Sequence, residues 1–467
     1  MSKPSIDSND IPQELKQFLQ RDTYSLLIRG KYGSGKTALS LTILRSLKAT
    51  DNFFYISTRT SPTQLFAYYP WLSKFVKKQD NLNQYSNSEE HPIHPCFEDA
   101  RLDEPESLFE RITNQLMDIK SPLIIIDSWD AIASLMDKES RINNERVLQT
   151  WRERAGARII FISEGVQDSG LDYIADGVVE LSNDISDSTA IRKLRITKLR
   201  GVPIEKTTYL FSLKEGLFKC FSKYLPLEYN NLIRNLDNRL GTPIAVRESN
   251  ISMQSGFRDL DRALGGGYQE GSMVIIKADK ILSHLLPLLF LERSIKEFMD
   301  KDGEIVVSGS SILYPLNQII SVPVNGTTAK TSGFLHFKFE QRKFIKNERN
   351  LRSRPACIEL NSLLDLQKFN EKKKILNIMG LDSLQDTMVK EGMNLYDVSR
   401  LLKNNFTLSF IIVDLDDDIQ RYKSICDVYL KFMIISGTLI LKCVMPSQGI
   451  FGVNFSSRQR LQLLRSL

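Results

Sequence analysis

The chain has 467 residues, of which 42% are hydrophobic and 25% are charged, and its formal net charge at pH 7 is +6. This length exceeds what one ordinary hydrophobic core supports, so we expect two domains in a soluble globular protein. The mild positive charge permits an acidic partner but does not require one. No apolar run reaches the length of a bilayer span, and the polar N-terminus differs from a signal peptide. These features predict a cytoplasmic protein with no membrane partner.

The first predicted elements are a short amphipathic helix over residues 11–19 and a buried strand that includes residues 26–28. The strand enters the sequence G-K-Y-G-S-G-K-T, and a helical pattern with leucine and isoleucine on one face follows directly. A strand, a glycine-rich turn and a helix in this order are the context that the phosphate-binding P-loop needs. The motif predicts a nucleotide site at Gly30, Lys31, Tyr32, Gly33, Ser34, Gly35, Lys36, Thr37 and Ala38.

Each part of this P-loop has a predicted role. Gly30, Gly33 and Gly35 let the backbone curl and point its N–H groups at phosphate oxygens. The helix that begins near Lys36 adds the positive end of its dipole. Lys36 is predicted to reach the β- and γ-phosphates, and the Thr37 hydroxyl is predicted to bind Mg²⁺. The predicted cofactors are therefore ATP and Mg²⁺.

A second buried strand is predicted over residues 52–57, and residues 70–100 read as a long polar loop. His91, His94 and Cys96 in this loop raise the question of a metal site. Two prolines interrupt that cluster and no fourth ligand is obvious, whereas structural zinc sites have four ligands. A solvated loop is therefore the favoured interpretation.

After a predicted helix over residues 104–117, the chain reads S-P-L-I-I-I-D-S-W-D. Four consecutive apolar residues that end in an acid predict a buried parallel strand with Asp127 at its carboxyl edge. An aspartate in this place, downstream of a P-loop, is typical of the Walker B motif. Asp127 is therefore predicted to hold Mg²⁺ opposite Thr37.

The rest of the first half alternates between helical and strand patterns. A basic helix is predicted over residues 139–154 and a strand over 157–162. Residues 191–201 alternate basic and apolar side chains, which indicates an antiparallel strand with one solvated face. The last strand of the domain is predicted over residues 208–213. This alternation of strands and helices predicts an α/β domain with a mostly parallel sheet.

These stretches together resemble the KaiC-like branch of the RecA superfamily. The matching pieces are G-K-Y-G-S-G-K-T, I-I-I-D-S-W-D, F-I-S-E, D-Y-I-A-D-G-V-V-E-L and I-T-K-L-R-G, and they cover most of residues 20–220. Within that branch, I-P-Q-E-L-K-Q-F-L, Y-I-S-T-R-T-S-P-T-Q-L and Y-P-W-L resemble archaeal GvpD-type P-loop proteins, a group known for regulating gas-vesicle genes. The resemblance implies a RecA-like fold and a regulatory role.

The resemblance also implies a role between subunits. In the KaiC-like family the K-x-R-G motif reaches across an interface to the neighbour's nucleotide, and the matching residues are Lys198 and Arg200. Cations supplied in trans would stabilise the charge on the phosphates. A homo-oligomer that forms through the nucleotide interface is therefore expected. The local alternation by itself would favour a solvated strand face.

One departure from the family bears on catalysis. KaiC-like ATPases carry two glutamates just before a Ser/Thr-Pro pair, and one of them positions the attacking water. Arg59 and Thr60 occupy these places, and neither can accept a proton at neutral pH. Arg59 is expected beside the γ-phosphate instead. Glu164 is the candidate replacement acid, so Lys36 and Glu164 are the candidate catalytic residues, and slow or absent hydrolysis is predicted.

The second half reads as a degenerate copy of the first. Residues 255–276 resemble the opening of a KaiC-like domain, which indicates an internal duplication. The place of the second P-loop, residues 277–287, contains no glycine, and His284 stands where the lysine should be. Such a turn cannot cradle phosphates in the P-loop manner. The predicted fold class is α/β, with two RecA-like domains in tandem over residues 1–222 and 251–467 and a linker over 223–250.

Three further stretches of the second half carry weaker signals. Residues 410–414 keep the Walker B outline, but the acids that follow are favoured as a solvated strand end over a cation site. The basic run over residues 341–354 is favoured as a solvated face over a protein partner, and over nucleic acid. Residues 455–467 are predicted to form a short basic amphipathic helix.

The sequence therefore favours an Mg-ATP-binding regulatory protein whose nucleotide state controls assembly or the binding of a protein partner. Two alternatives stay open. The first is an active RecA-like ATPase, such as a hexameric motor that acts on DNA. The second is a scaffold in which the nucleotide is purely structural. Nucleic acid is a permitted partner under the first alternative but is not favoured.

Overall fold

The computed structural model divides the chain into two compact units, Met1–Ser222 and Lys223–Ser466. Of the predicted linker at residues 223–250, only residues 223–225 belong to the described part of the chain. The structure describes residues 10–49, 52–73, 75, 96–116, 119–165, 171–186, 189–225, 252–279, 282, 285–300, 303–308, 334–338, 356–360, 374–413, 420–455 and 461–466.

The first unit is built on one sheet, and its described strands follow the order β3-β2-β4-β5-β1-β6-β7-β8-β9. Neighbouring strands from β3 to β6 run parallel, and those from β6 to β9 run antiparallel. The strands are β1 (Tyr24–Gly30), β2 (Phe53–Ser57), β3 (Phe97–Asp99), β4 (Leu123–Asp127), β5 (Arg158–Ser163), β6 (Gly177–Ser186), β7 (Thr189–Leu199), β8 (Thr208–Ser212) and β9 (Lys219–Cys220).

Helices cover both faces of this sheet, because its central strands are apolar on both sides. On β1, Leu26 and Ile28 join the core with α1 and α2, while Leu27 joins the core with α4 and α6. The result is a three-layer α/β/α unit. The helices are α1 (Gln13–Leu19), α2 (Lys36–Ser46), α3 (Pro62–Tyr68), α4 (Pro105–Leu116), α5 (Trp129–Ala133), α6 (Lys138–Arg154) and α7 (Leu171–Ile174).

The second unit has a sheet with the described order β15-β14-β13-β16-β17-β12-β18-β19-β20-β21, beside a separate pair, β10 and β11. Its strands are β10 (Ser252–Met253), β11 (Tyr268–Gln269), β12 (Ser272–Ala278), β13 (Glu304–Ser308), β14 (Phe334–Lys338), β15 (Ala356–Leu360), β16 (Ile375–Gly380), β17 (Leu408–Val413), β18 (Val428–Ile435), β19 (Thr438–Met445), β20 (Gly449–Phe455) and β21 (Leu461–Ser466).

Helices again pack on both faces of the second sheet. Residues of α8 and α9 share one core with β12, and residues of α10 and α11 share the other. The helices are α8 (Arg258–Ala263), α9 (Leu285–Asp300), α10 (Leu381–Lys390), α11 (Leu395–Asn405) and α12 (Gln420–Lys423). The predicted α/β class is confirmed in both units.

The two sheets repeat one topology. The order β2-β4-β5-β1-β6-β7-β8-β9 in the first unit corresponds strand by strand to β13-β16-β17-β12-β18-β19-β20-β21 in the second. The neighbours also agree in direction: β12 pairs in parallel with β17 and β18, as β1 does with β5 and β6. The sheets differ at one edge, because β3 runs parallel to β2 whereas β14 runs antiparallel to β13. This shared order supports an internal duplication.

Two predictions for the ends of the sheets were wrong. The strand β8 is not the last of the first unit, since β9 pairs with it. The C-terminal residues do not form a helix, because β21 pairs antiparallel with β20 and Gly452 lies opposite Arg465. A short segment with scattered leucines fits either periodicity, and here the backbone partner offered by β20 decides the outcome.

The loop predicted over residues 70–100 contains a strand at its end. Phe97 of β3 packs its ring 5.5 Å from that of Phe53 and 5.4 Å from that of Tyr55. A three-residue strand is too short to show periodicity in sequence, so this aromatic contact could not be predicted. His91 and His94 lie outside the described residues, as do His284, the basic run at 341–354 and the acids at 414–418.

Within the described ranges, no helix combines the length and the apolar character that crossing a bilayer requires. The described part of the chain also contains no cluster of three histidine, cysteine, aspartate or glutamate side chains that could bind a metal on its own.

Candidate functional site

The candidate site lies where the parallel strands of the first sheet end. Gly30 ends β1, Asp127 ends β4 and Ser163 ends β5, and the registers place these carboxyl ends side by side. Ser57 ends β2 directly opposite Asp127. Side chains that follow these residues therefore converge at one edge of the sheet, as in other open α/β sheets.

The P-loop between β1 and α2 has a backbone that requires glycine. Gly33 has φ of 70°, and apart from its chain neighbours no heavy atom of the described residues lies within 4 Å of the place where a Cβ would stand. At Gly30, a Cβ would overlap the carbonyl oxygen of Leu181 on β6. Gly30 thus permits close contact with the sheet, and Gly33 leaves the turn open to a ligand.

The remaining P-loop residues differ in exposure. Lys31 and Tyr32 are exposed, and 75% of Tyr32 is accessible to solvent. Ser34 is buried, and its hydroxyl has no hydrogen-bond partner within the described residues. Ala38 packs into the core on α2, so only its backbone can serve a ligand.

Lys36 is the first residue of α2 and is buried against its own loop. Its Nζ donates hydrogen bonds to the carbonyl oxygens of Gly30, at 2.7 Å, and Lys31, at 3.1 Å. Burial lowers the pKa of the Lys36 ammonium, and nearby carboxylates, that of Glu164 first, act in the opposite direction. The cation is therefore held inside the turn that a phosphate would enter.

Thr37 and Asp127 are brought together as predicted from the sequence. The Thr37 hydroxyl donates to Oδ2 of Asp127 at 2.8 Å, and the Tyr55 hydroxyl donates to the same oxygen at 2.7 Å. Burial raises the pKa of the Asp127 carboxyl, while the hydrogen bonds from Tyr55 and Thr37 and the charge of Lys36 oppose that rise. A hydroxyl and a carboxylate in contact form the donor set that Mg²⁺ takes in P-loop proteins.

Tyr55 was not singled out in the sequence. It stands inside the apolar strand β2, where an aromatic residue is ordinarily read as core. Its ring does join the core, and only its hydroxyl reaches the site. The position of a tyrosine near the carboxyl edge of β2 is the one sequence signal that could have identified Tyr55 as a site residue.

Two further polar residues shape the walls of the site. The Thr58 hydroxyl accepts from the Ser128 N–H at 2.8 Å and donates to the Ser128 carbonyl at 3.1 Å, which fixes the turn after Asp127. Asp130 accepts from the Ser163 hydroxyl and from the backbone N–H of Glu164. These contacts join the ends of β2, β4 and β5 and so limit the freedom of the residues that line the site.

Arg59 and Glu164 form an ion pair beside the P-loop. An Nη of Arg59 lies 2.7 Å from Oε2 and 2.9 Å from Oε1 of Glu164. The Arg59 guanidinium also lies over the Tyr32 ring at 5.7 Å, and Nζ of Lys36 lies 6.0 Å from the same ring. The two residues that were predicted separately therefore contact each other, and the exposed tyrosine ring lies near both cations.

Arg192 on β7 is a contact that the sequence did not reveal. Its Nη1 donates to the carbonyl oxygen of Gly33 at 3.1 Å, at the open side of the P-loop. The alternation of basic and apolar residues in this strand signals a charged face, but not which cation reaches the loop.

Lys198 and Arg200 lie away from their own P-loop. Lys198 is paired through Val178 with Leu27, which lies three residues, about 10 Å, before Gly30 along β1. Lys198 donates to the carbonyl oxygen of Asp172 at 3.2 Å. Arg200 pairs with Asp176 at 2.9 Å and keeps 62% of its side chain exposed. These two cations are not part of the cluster around Lys36.

The residues at this edge fit a magnesium-bound nucleotide. The open turn at Gly33, the buried and unpartnered Ser34 hydroxyl within the described residues, and the Lys36 ammonium form an anion site. Thr37 and Asp127 supply oxygen ligands of the kind that Mg²⁺ binds.

Comparison with known proteins agrees with this geometry. The family model described as "GvpD gas vesicle protein, P-loop domain" matches residues 15–198. "Protein GvpD1" of Halobacterium salinarum is 29% identical over 66% of this chain and 58% of that protein, and "Protein GvpD2" is 27% identical over 63% and 60%. "Circadian clock oscillator protein KaiC" of Prochlorococcus marinus is 25% identical over 54% of this chain and 48% of that protein.

The matched region contains the whole P-loop, Asp127 and Glu164. The KaiC matches support two RecA-like P-loop NTPase domains in tandem, and the second of these lacks the P-loop glycines. The chain spans about 60% of the length of the GvpD relatives that it matches. Residues 15–198 therefore match the P-loop domain of the GvpD family, and the resemblance of the chain to the KaiC-like branch of the RecA superfamily is confirmed.

Proposed function

We propose that this chain is an Mg-ATP-binding regulatory protein that hydrolyses its nucleotide slowly or not at all. The first unit, residues 1–222, is the ATP-binding domain, and the domain over residues 251–467 is a silent copy joined by a linker. The observation that carries the proposal is the Thr37–Asp127 contact beside the buried Lys36. The cytoplasmic location stays a prediction from the sequence.

The binding step follows from the residues of the P-loop. Lys36 supplies a fixed positive charge to the β- and γ-phosphates, and the backbone of residues 30–38 supplies N–H donors. Thr37 and Asp127 would hold Mg²⁺, which neutralises phosphate charge when it is bound. Arg59 adds a second cation beside the loop.

Slow hydrolysis is supported by the residues at the places of the family's two glutamates. Arg59 and Thr60 stand there, and neither can accept a proton at neutral pH. The acid that orients the attacking water in KaiC-like ATPases is therefore missing from these two places.

The regulatory role rests on the relatives and on the oligomer that the sequence predicts. The matched family is described as a gas vesicle protein, and KaiC is named as a clock oscillator protein. In the proposed assembly, Lys198 and Arg200 of one subunit contact the nucleotide of the next, so that ATP stabilises the assembled state. A regulatory protein partner would then distinguish assembled from free chains.

Steady-state ATP turnover, measured with and without DNA, tests this proposal. We expect fewer than about 1 turnover per second, the low end of ordinary enzyme rates, and no effect of DNA. Faster turnover would contradict the proposal, and acceleration by DNA would favour the motor. Lys36→Ala separates the remaining alternatives, because a regulator loses assembly or partner binding whereas a structural nucleotide site loses the fold.

A further inference from the structure

Arg59 pairs with a carboxylate directly beside the P-loop. Its guanidinium binds the Glu164 carboxylate, and it shares the Tyr32 ring with the Lys36 ammonium. Glu164 is also the carboxylate that acts most strongly on the pKa of Lys36. Arg59, Glu164 and the P-loop lysine therefore belong to one electrostatic cluster at the place where a terminal phosphate would bind.

The two members of the ion pair differ in freedom. The backbone of Glu164 is anchored, because its N–H donates to Asp130. Only 15% of the Glu164 side chain is exposed, against 44% of the Arg59 side chain. When a second anion arrives, Arg59 is the partner that moves.

We propose that Arg59 leaves Glu164 to pair with the terminal phosphate of a nucleoside triphosphate, so that this chain discriminates triphosphate from diphosphate through competition between Glu164 and that phosphate. This inference rests on the proposed function and names the residues that read the state of its nucleotide. Both contacts with Glu164 use one Nη of Arg59, so a phosphate that draws the guanidinium toward the loop weakens its pair with Glu164.

A diphosphate has no terminal group to compete for the guanidinium, and Arg59 then stays with Glu164. The Tyr32 ring keeps the guanidinium beside the loop in both states, because a cation is attracted to the face of an aromatic ring. Removal of Glu164 should therefore strengthen triphosphate binding, whereas removal of Arg59 should weaken it. Opposite effects on triphosphate affinity when Arg59 or Glu164 is removed would indicate competition between Glu164 and the phosphate.

The test measures the Kd values of Mg-ADP and of a non-hydrolysable Mg-ATP analogue for the full chain by titration calorimetry at fixed ionic strength. The variants are Arg59→Gln, Glu164→Gln and the double substitution, with Arg154→Gln on α6 as the matched control. We expect Arg59→Gln to raise the Kd of the analogue roughly tenfold, as loss of a charged hydrogen bond does, and to change the Kd of ADP by less than about twofold. Glu164→Gln should lower the Kd of the analogue several-fold. The double variant should have the same Kd values as Arg59→Gln.

Equal weakening of both nucleotides by Arg59→Gln, or weaker analogue binding in Glu164→Gln, would overturn this inference while the proposed function stands. Failure of the unchanged protein to bind either nucleotide would instead contradict the proposed function itself. Circular dichroism melting curves of each variant show whether the fold is retained. Loss of fold in Arg59→Gln alone would also count against the inference, since a residue that moves between partners cannot be essential for packing.

Discussion

At the scale of single residues, the site depends on one oxygen atom of Asp127. Oδ2 accepts hydrogen bonds from Thr37 and Tyr55, and the carboxyl is buried at the end of β4. Burial raises its pKa, which means that a proton competes with Mg²⁺ at a higher pH than at an exposed aspartate. The tyrosine hydroxyl opposes this effect because it donates to the ionised form.

The first prediction concerns pH and Tyr55. Mg²⁺-dependent nucleotide affinity should be fully present above the raised pKa of Asp127 and fall as the pH falls through it, because the protonated acid cannot bind the metal. Tyr55→Phe removes a hydrogen bond that lowers this pKa, so the loss should begin at a higher pH. The measurement is Kd for Mg-ATP from about pH 8 to about pH 5.

Tyr24→Phe is the matched control for this prediction. Its hydroxyl is buried in the same unit and has no hydrogen-bond partner within the described residues. Its removal should leave the pH profile unchanged. Identical profiles for Tyr55→Phe and the unchanged protein would show that the tyrosine does not tune the metal site.

At the scale of elements, the central strand of each unit begins with the same type of hydrogen bond to an aspartate. Oδ2 of Asp176 accepts from the N–H of Ser25 on β1, and Oδ2 of Asp427 accepts from the N–H of Met273 on β12. The N–H of each aspartate returns a hydrogen bond to the carbonyl of the same partner residue. This repeated contact is independent support for the duplication, and its surroundings differ between the two units.

The second prediction compares the two aspartates. Asp176 is buried and pairs with Arg152 and Arg200, whereas Asp427 is 42% exposed at its side chain and pairs with Lys403. Asp176→Ala should lower the free energy of unfolding by about 3 kcal/mol, because it removes the carboxylate that accepts from the buried Ser25 N–H and hydroxyl. Asp427→Ala should lower it by about 1 kcal/mol.

Denaturant unfolding can assign each effect to its unit. The three tryptophans are Trp71, Trp129 and Trp151, all in the first unit, so their fluorescence reports on that unit. Asp176→Ala should move the fluorescence midpoint, and Asp427→Ala should move mainly the circular dichroism signal. A larger effect of Asp427→Ala on fluorescence would contradict the assignment.

Much of the first unit could be predicted because its elements carry strong local signals. The P-loop motif predicts the turn before α2 and a phosphate site, and the four apolar residues before Asp127 predict β4 and a metal ligand. The structure places Thr37 in contact with Asp127. The contacts that were missed depend on partners distant in sequence: Tyr55 reaches Asp127, and Arg192 reaches Gly33. The C-terminal strand β21 was missed for the same reason, since its structure is set by β20 and not by its own pattern.

At the scale of the whole molecule, the two units have kept one topology but differ in the turn after their central strand. Only the first retains the glycines that a phosphate site requires. Lys198 and Arg200 lie about 10 Å or more along the sheet from their own P-loop, so a nucleotide role for them requires a second copy of the chain. Assembly and nucleotide binding are therefore linked in this account.

The third prediction concerns that assembly. Size-exclusion chromatography with light scattering should show a larger mass with Mg-ATP than without nucleotide. Lys198→Gln should abolish this increase, because it removes a cation supplied to the neighbour's phosphates. Lys193→Gln on the same strand is the matched control, since Lys193 is engaged with Asp184 in its own hairpin. An unchanged mass with ATP, or normal assembly of Lys198→Gln, would contradict the intersubunit role.

The central claim is that each chain holds one ATP, in the first unit, and keeps it intact. The most direct measurement is the amount and identity of radiolabelled nucleotide retained by the purified full chain after incubation with Mg-ATP, followed over minutes. We expect about one nucleotide per chain, still ATP, and none in Lys36→Ala. Two nucleotides per chain, retention by Lys36→Ala, or conversion to ADP within seconds would contradict it.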